Sequence, residues 1–171
     1  MKAYKYFWIT LLVIALDQIS KCLVRASLPF YGEPIKITSQ FFWLTHVQNT
    51  GAAFSLSLGS AVVNRIFFIV FSIIAIVILF FMQKKTESKV EKIAYSMILG
   101  GAFGNLIDRI FFGGVTDFIW WDFPDFIMER WPVFNIADSS IVVAICLLVV
   151  YYLFFEKKIK EINEKNEMED K

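Results

Sequence analysis

Residues Ala61 to Met82 read AVVNRIFFIVFSIIAIVILFFM, with Arg65 as the one charged side chain in the stretch. At about 1.5 Å of rise per residue, a helix of this length matches the roughly 30 Å hydrocarbon core of a bilayer. The run is too long and too continuously apolar for a barrel strand, so a spanning helix is expected. Three further stretches have the same character: Tyr6 to Ala26, Ile93 to Phe112 and Ile136 to Phe155. Composition agrees with them. The 171 residues are 57% apolar, 18% aromatic and 19% charged, with a net charge of +1 and a mean hydropathy of +0.59. That balance excludes a soluble globular domain, an acidic disordered tail and a basic nucleic-acid binder. The predicted fold is an all-α integral membrane protein of four transmembrane helices, one domain over residues 1–171, with a small extracytoplasmic β element and an outer-leaflet loop.

The basic residues give the orientation. Lys2 and Lys5 precede the first span, Lys84, Lys85, Lys89 and Lys92 lie between the second and third, and Lys157, Lys158, Lys160, Lys165 and Lys171 follow the fourth. By the positive-inside rule both termini and the middle loop are expected in the cytoplasm. The loops 27–60 and 113–135 then face outward. No small-residue cleavage site follows the first apolar run, only Asp17-Gln18, so an uncleaved first helix is expected rather than a removed signal peptide. The tail from Glu156 to Lys171 alternates Glu and Lys and reads as a solvated helical extension.

In the first outer loop, Ile35 to Thr38 and Trp43 to Val47 favour β structure between Gly32, Pro34 and the Asn49-Thr50-Gly51 turn, which predicts a small hairpin or sheet. The second, with Phe118, Trp120, Trp121, Phe123, Phe126 and Trp131, reads as a segment lying among the headgroups.

Ionisable residues inside a span are costly and mark function or a partner. Asp17 and Lys21 sit four apart toward the outer end of the first span, and Asn105, Asp108 and Arg109 occupy the last turns of the third. Asp17 with Lys21, and Asp108 with Arg109, each offer a pair of opposite sign, so a structural or supporting role weighs at least as much as direct chemistry for these four. Asp117 and Asp138 have no basic residue within a helical turn and lie in apolar sequence, at the same outer depth. Such carboxylates must be neutralised or share a proton, the condition of an aspartic dyad in which one carboxyl acts as acid and the other as base on a water. One histidine and two cysteines make a zinc site or a disulfide framework improbable, and no metal or cofactor is expected. His46 reads as a loop residue at the membrane surface. Ser139 or Ser140 with Lys21 leaves a Ser–Lys alternative that no spacing supports, and Cys22 and Cys146 read as small packing residues. Gly100 and Gly104 form Gly-x-x-x-Gly, for which close helix packing is the default and a dimer face the alternative.

Taken in order, Asp17-Gln18-x-x-Lys21, Asn49-Thr50-Gly51-Ala52-Ala53-Phe54, Gly104-Asn105-Leu106-Ile107-Asp108-Arg109, Val115-Thr116-Asp117-Phe118-Ile119 and Phe134-Asn135-Ile136-Ala137-Asp138-Ser139-Ser140 resemble the bacterial lipoprotein signal peptidase (signal peptidase II) family. Each block is weak alone, and the ordered set is highly specific. The resemblance implies an aspartic endopeptidase of the bacterial cytoplasmic membrane that removes the signal peptide from a prolipoprotein, cutting before its diacylglyceryl-cysteine. It implies Asp117 and Asp138 as the catalytic pair. Asn49, Gly51, Asn105, Asp108, Arg109, Asn135 and Ala137 would line the site or position substrate, with Asp17 and Lys21 in support. It further implies prolipoprotein and membrane lipids as partners, no nucleic acid, and inhibition by globomycin. Thr116 stands where an apolar residue is common, a departure expected to be tolerated, and 118–134 is a candidate lid. A small transporter, which would spread polar groups through both membrane halves, and an assembly scaffold built on the glycine face are the competing readings.

Overall fold

The computed structural model describes residues 3–38, 41–51, 60–121 and 131–155. After a short 3-10 turn, α1 (Phe7–Ser27) leads through β1 (Ile35–Lys36) and β2 (Phe42–Asn49) to α2 (Ala61–Lys85). A brief connection joins α2 to α3 (Lys89–Phe112), which is followed by β3 (Val115–Trp121) and α4 (Ile136–Phe154). The Ser60 hydroxyl accepts the Val63 N–H at the start of α2, and Ser88 does the same for Glu91 at the start of α3. At the other end of α3, Arg65 donates from Nε to the Arg109 carbonyl at 2.9 Å and from Nη2 to the Ile110 carbonyl at 2.7 Å. These bonds satisfy backbone groups that a helix end leaves open.

The molecule is apolar outside and polar within. Leu11, Leu16 and Leu23 of α1, Phe71, Ile74 and Ile78 of α2, and Val142, Val149 and Leu153 of α4 are exposed, while Asp17, Lys21, Gln83, Asp108 and Asn135 are fully buried. Such a surface far exceeds the apolar patches of soluble monomers and fits a multi-pass membrane protein. Three helices, α1, α2 and α4, are long and apolar enough to cross a bilayer. The stretch expected as the third of four spans, 93–112, lies in α3, which has the length but carries Lys89, Glu91, Lys92, Asp108 and Arg109. Its position explains the difference: α3 is the central helix, packed against α1, α2 and α4, so its sequence answers to neighbouring helices more than to lipid. Cys22 and Cys146 are exposed on the outside of the bundle, where the expected packing role is not what they do.

The glycines of α3 serve contacts within the chain. A Cβ at Gly101 would lie 2.6 Å from the Ala137 carbonyl of α4, and one at Gly104 would lie 2.5 Å from Asp17 Oδ2 of α1. Close packing, the default expectation, is what the structure shows.

The predicted outer hairpin is present and larger than expected, because β3 joins it in the antiparallel order β1-β2-β3. Residues 115–121, taken from sequence as part of a headgroup-lying segment, are therefore strand. Four consecutive residues at its start are buried, so the alternation that betrays a strand is missing. Phe123, Phe126 and most of the candidate lid fall outside the described residues, as do 156–171. The β2–β3 register changes between Leu44 and Val47: Leu44 pairs with Ile119 but Val47 pairs with Asp117. One extra residue on β2 makes a bulge next to Asp117.

Candidate active site

The site is built around the start of α4. Asn135 is its N-cap: its side-chain oxygen accepts the Asp138 N–H at 2.9 Å, while Asp138 Oδ2 accepts the Asn135 N–H at 3.3 Å. This reciprocal capping box fixes Asp138 in the first turn. The same Asn135 side chain donates from Nδ2 to Asp117 Oδ1 at 2.6 Å. One buried asparagine thus ties the strand-borne aspartate to the helix-borne one.

Each of these two carboxylates receives two neutral donors. Asp117 Oδ2 accepts from Asn49 Nδ2 at 3.2 Å, and Gly51 N–H holds the Asn49 oxygen at 3.0 Å, which leaves the amide pointing its nitrogen at the aspartate. Asp138 Oδ1 accepts from Asn105 Nδ2 at 2.8 Å. Among the described residues neither Asp117 nor Asp138 is in an ion pair. Asp117 is almost fully buried, and burial first, then the charge of Asp138, pushes its carboxyl up to about 7. The Asn135 and Asn49 amides and Lys21 act in the opposite direction and do not overcome it.

Behind this pair lies a cluster of full charges. Lys21 Nζ sits 2.8 Å from Asp17 Oδ2 and 3.5 Å from Asp108 Oδ2, and it donates to Asn105 Oδ1 at 2.9 Å. Because Lys21 engages the Asn105 oxygen, the Asn105 nitrogen is directed at Asp138. Asp17 Oδ1 accepts the Ala137 N–H at 3.0 Å, so a carboxylate from α1 satisfies an open donor of α4. Gln18 adds a bridge, with Nε2 donating to Asp17 Oδ2, the Gly104 carbonyl and Asp108 Oδ1.

The eleven residues singled out from sequence are therefore gathered in one region, with one pairing corrected. Asp108 does not pair with Arg109. Neighbours in sequence on a helix point about 100° apart, and Asp108 faces Lys21 and Arg25 of α1 while Arg109 turns toward α2 and Gly51, just past β2. Arg109 donates to the Gly51 carbonyl at 3.4 Å and to its own-helix Asn105 carbonyl at 3.5 Å, with its guanidinium 5.3 Å from the Phe68 ring centroid. Asp108 and Arg109 each bind neighbouring backbone, Asp108 accepting the Thr116 N–H and Arg109 reaching the Gly51 carbonyl, while Arg65 and Gln48 take the last carbonyls of α3. Sequence reasoning missed Arg25, Gln18 and Arg65. Gln18 had the one available signal, a second polar side chain next to Asp17 inside an apolar run. His46 lies on β2 with Nδ1 3.1 Å from the Leu28 carbonyl, and Ser139 and Ser140 bond backbone carbonyls of Asn135 and Met97, so none of them joins the carboxylates. Among the described residues no group of three His, Cys, Asp or Glu side chains is arranged to hold a metal ion.

Comparison with known proteins gives a consistent result. A family model described as signal peptidase (SPase) II matches residues 9–154. The lipoprotein signal peptidase of Serratia marcescens is 41% identical over 160 residues, covering 92% of this chain and 89% of the relative. That of Halothermothrix orenii is 43% identical over 150 residues, covering 87% and 95%. A solved bacterial membrane enzyme is similar with a TM-score of 0.75 at 30% identity over 87% of each chain.

Proposed function

The chain belongs to the signal peptidase II family, whose members remove signal peptides from prolipoproteins, and from that premise we propose that it is an intramembrane aspartic endopeptidase with Asp117 and Asp138 as its catalytic dyad. The substrate is a diacylglyceryl-modified prolipoprotein, cut before the lipidated cysteine. The observation that carries this reading is the pair itself: two carboxylates joined through Asn135, each held by neutral donors and out of reach of the ion pairs beside them.

Two neighbouring buried carboxyls do not both ionise readily, and Asp117 is pushed up to about 7, so in this reading one proton is shared by the dyad. The ionised member takes a proton from a water placed between them as that water attacks the scissile carbonyl. The protonated member gives its proton to the carbonyl oxygen; as the C–N bond breaks, the first member passes the proton it took from water to the departing amine, and the second takes back the hydroxyl proton as the carbonyl re-forms. Asn49, Asn105 and Asn135 hold the four carboxylate oxygens in place through this exchange, and their N–H groups support whichever oxygen gains negative charge. Arg109, bound to the Gly51 carbonyl, holds the outer loop as a wall of the site.

In this reading α3 also spans the membrane, as the third of four spans, both termini are cytoplasmic, and the dyad lies at the outer-leaflet depth of a cysteine whose acyl chains remain in lipid. The protein works in the bacterial cytoplasmic membrane without a cofactor. The test uses purified protein and a diacylglyceryl-modified prolipoprotein, with and without globomycin. Inhibitor-sensitive cleavage is expected, and Asp117→Asn or Asp138→Asn is expected to abolish it. Substantial cleavage by either variant would sink the dyad, and cleavage of an unlipidated precursor at the same rate would sink the substrate assignment.

A further inference from the structure

Arg25 has no part in the chemistry described above, yet it is bound to the residue that precedes Asp117. From the last turn of α1 its Nη1 donates to Thr116 Oγ1 at 2.9 Å and lies 3.4 Å from Asp108 Oδ1, and its guanidinium covers the Phe112 ring at 4.1 Å from the centroid. The other oxygen of Asp108 accepts the Thr116 backbone N–H at 2.8 Å. One ion pair therefore grips Thr116 by side chain and by backbone, and Thr116 is buried. Successive side chains of a strand point to opposite faces, so the rotation that satisfies Thr116 on the α1 side also sets the direction in which Asp117 emerges toward Asn135 and Asn49. Charge makes the same demand. Asp17 and Asp108 are both fully buried, and without Arg25 they would share the single cation Lys21.

We infer that Arg25 is a positioning residue for Asp117, acting through Thr116 and Asp108. The inference rests on the peptidase reading for its catalytic consequence and on β3 geometry for its structural one, so both are measured. In the cleavage assay Arg25→Met lowers kcat about tenfold with KM within about twofold, because substrate contacts are untouched while the dyad is misaligned. Arg25→Lys recovers much of the loss. Thr116→Val, which leaves the ion pair in place and guards against misfolding of the Arg25 variant, lowers kcat about threefold alone and adds nothing in the Arg25→Met background. Hydrogen exchange of the 115–118 amides, which does not depend on turnover, rises about fivefold or more in both single variants. Unchanged kcat in Thr116→Val, fully additive losses, or unchanged 115–118 exchange overturns the inference. If the wild-type protein itself does not cut the lipidated precursor, the peptidase reading fails separately, and the exchange measurement alone decides the role of Arg25.

Discussion

Two groups of aspartates lie side by side in this protein and are treated in opposite ways. Asp17 and Asp108 touch Lys21 or Arg25 and are locked into ion pairs that tie α1 to α3, with Asp17 also reaching the first turn of α4. Asp117 and Asp138, a few residues away, receive only amide and backbone N–H groups. A paired buried charge is costly to disturb. A carboxylate held by neutral donors keeps its geometry while its charge remains free to change. The difference teaches that in this protein the aspartates fixed by ion pairs and the aspartates held by neutral donors are separate residues.

The largest expected effects test that separation directly. Asp117→Asn and Asp138→Asn are expected to reduce cleavage by about 10³-fold or more, the scale of lost acid–base catalysis, while thermal unfolding in detergent stays near wild type. A parallel loss of stability would erase the contrast. Asp17→Ala is expected to do the reverse. It strands Lys21 and the Ala137 N–H, and a thermal or denaturant unfolding series should show a loss of about 3 to 5 kcal/mol, the scale for breaking a buried pair. Gly104→Ala forces a Cβ toward Asp17 Oδ2, and about 1 to 3 kcal/mol of stability is expected to go with it, the range for overpacking.

The expected effect that is most gradual is a slope. The Asp117 carboxyl stands at about 7 in the folded protein against an ordinary 3.8, so between those values the folded state binds more protons than the unfolded one. Stability from this group is therefore complete below about pH 4 and is lost as pH rises through about 7, by at most about 1.4 kcal/mol per pH unit. Comparing unfolding of the wild type and Asp117→Asn across that window isolates it. An identical pH dependence in the two proteins would place Asp117 among the paired aspartates after all.

Much of this arrangement was legible in the chain. Hydropathy located the helices, lysine distribution suggested their direction, and the absence of a neighbouring base set Asp117 and Asp138 apart. What could not be read was any partner fixed by tertiary contact. Asp108 stands beside Arg109 in sequence, and only the helical twist sends the two to different faces. Arg25 finds its partners in Thr116 and Asp108, more than eighty residues further on, and no local pattern announces that. β3 escaped because its first residues are buried without alternation. The central place of α3 was likewise hidden: its stretch read as one span among four, and it is the helix against which α1, α2 and α4 all pack.

The bulge in β2 has a consequence for how this chain tolerates change in length. Pairs up to Leu44–Ile119 follow one phase of the pleat, and pairs from Val47–Asp117 onward follow the other. The tryptophan end of the sheet, where Trp43 meets Trp120, is thereby uncoupled from the aspartate end. Were one of the two bulge residues deleted, Leu44–Ile119 and Val47–Asp117 would both persist in one regular ladder, so Asn49 would keep its face while the local bend and twist beside Asp117 would be lost. The extra residue at Thr45 or His46 thus sets the bend of β2 beside the site, and a one-residue deletion there should change how closely Asn49 approaches Asp117 without changing which residues pair.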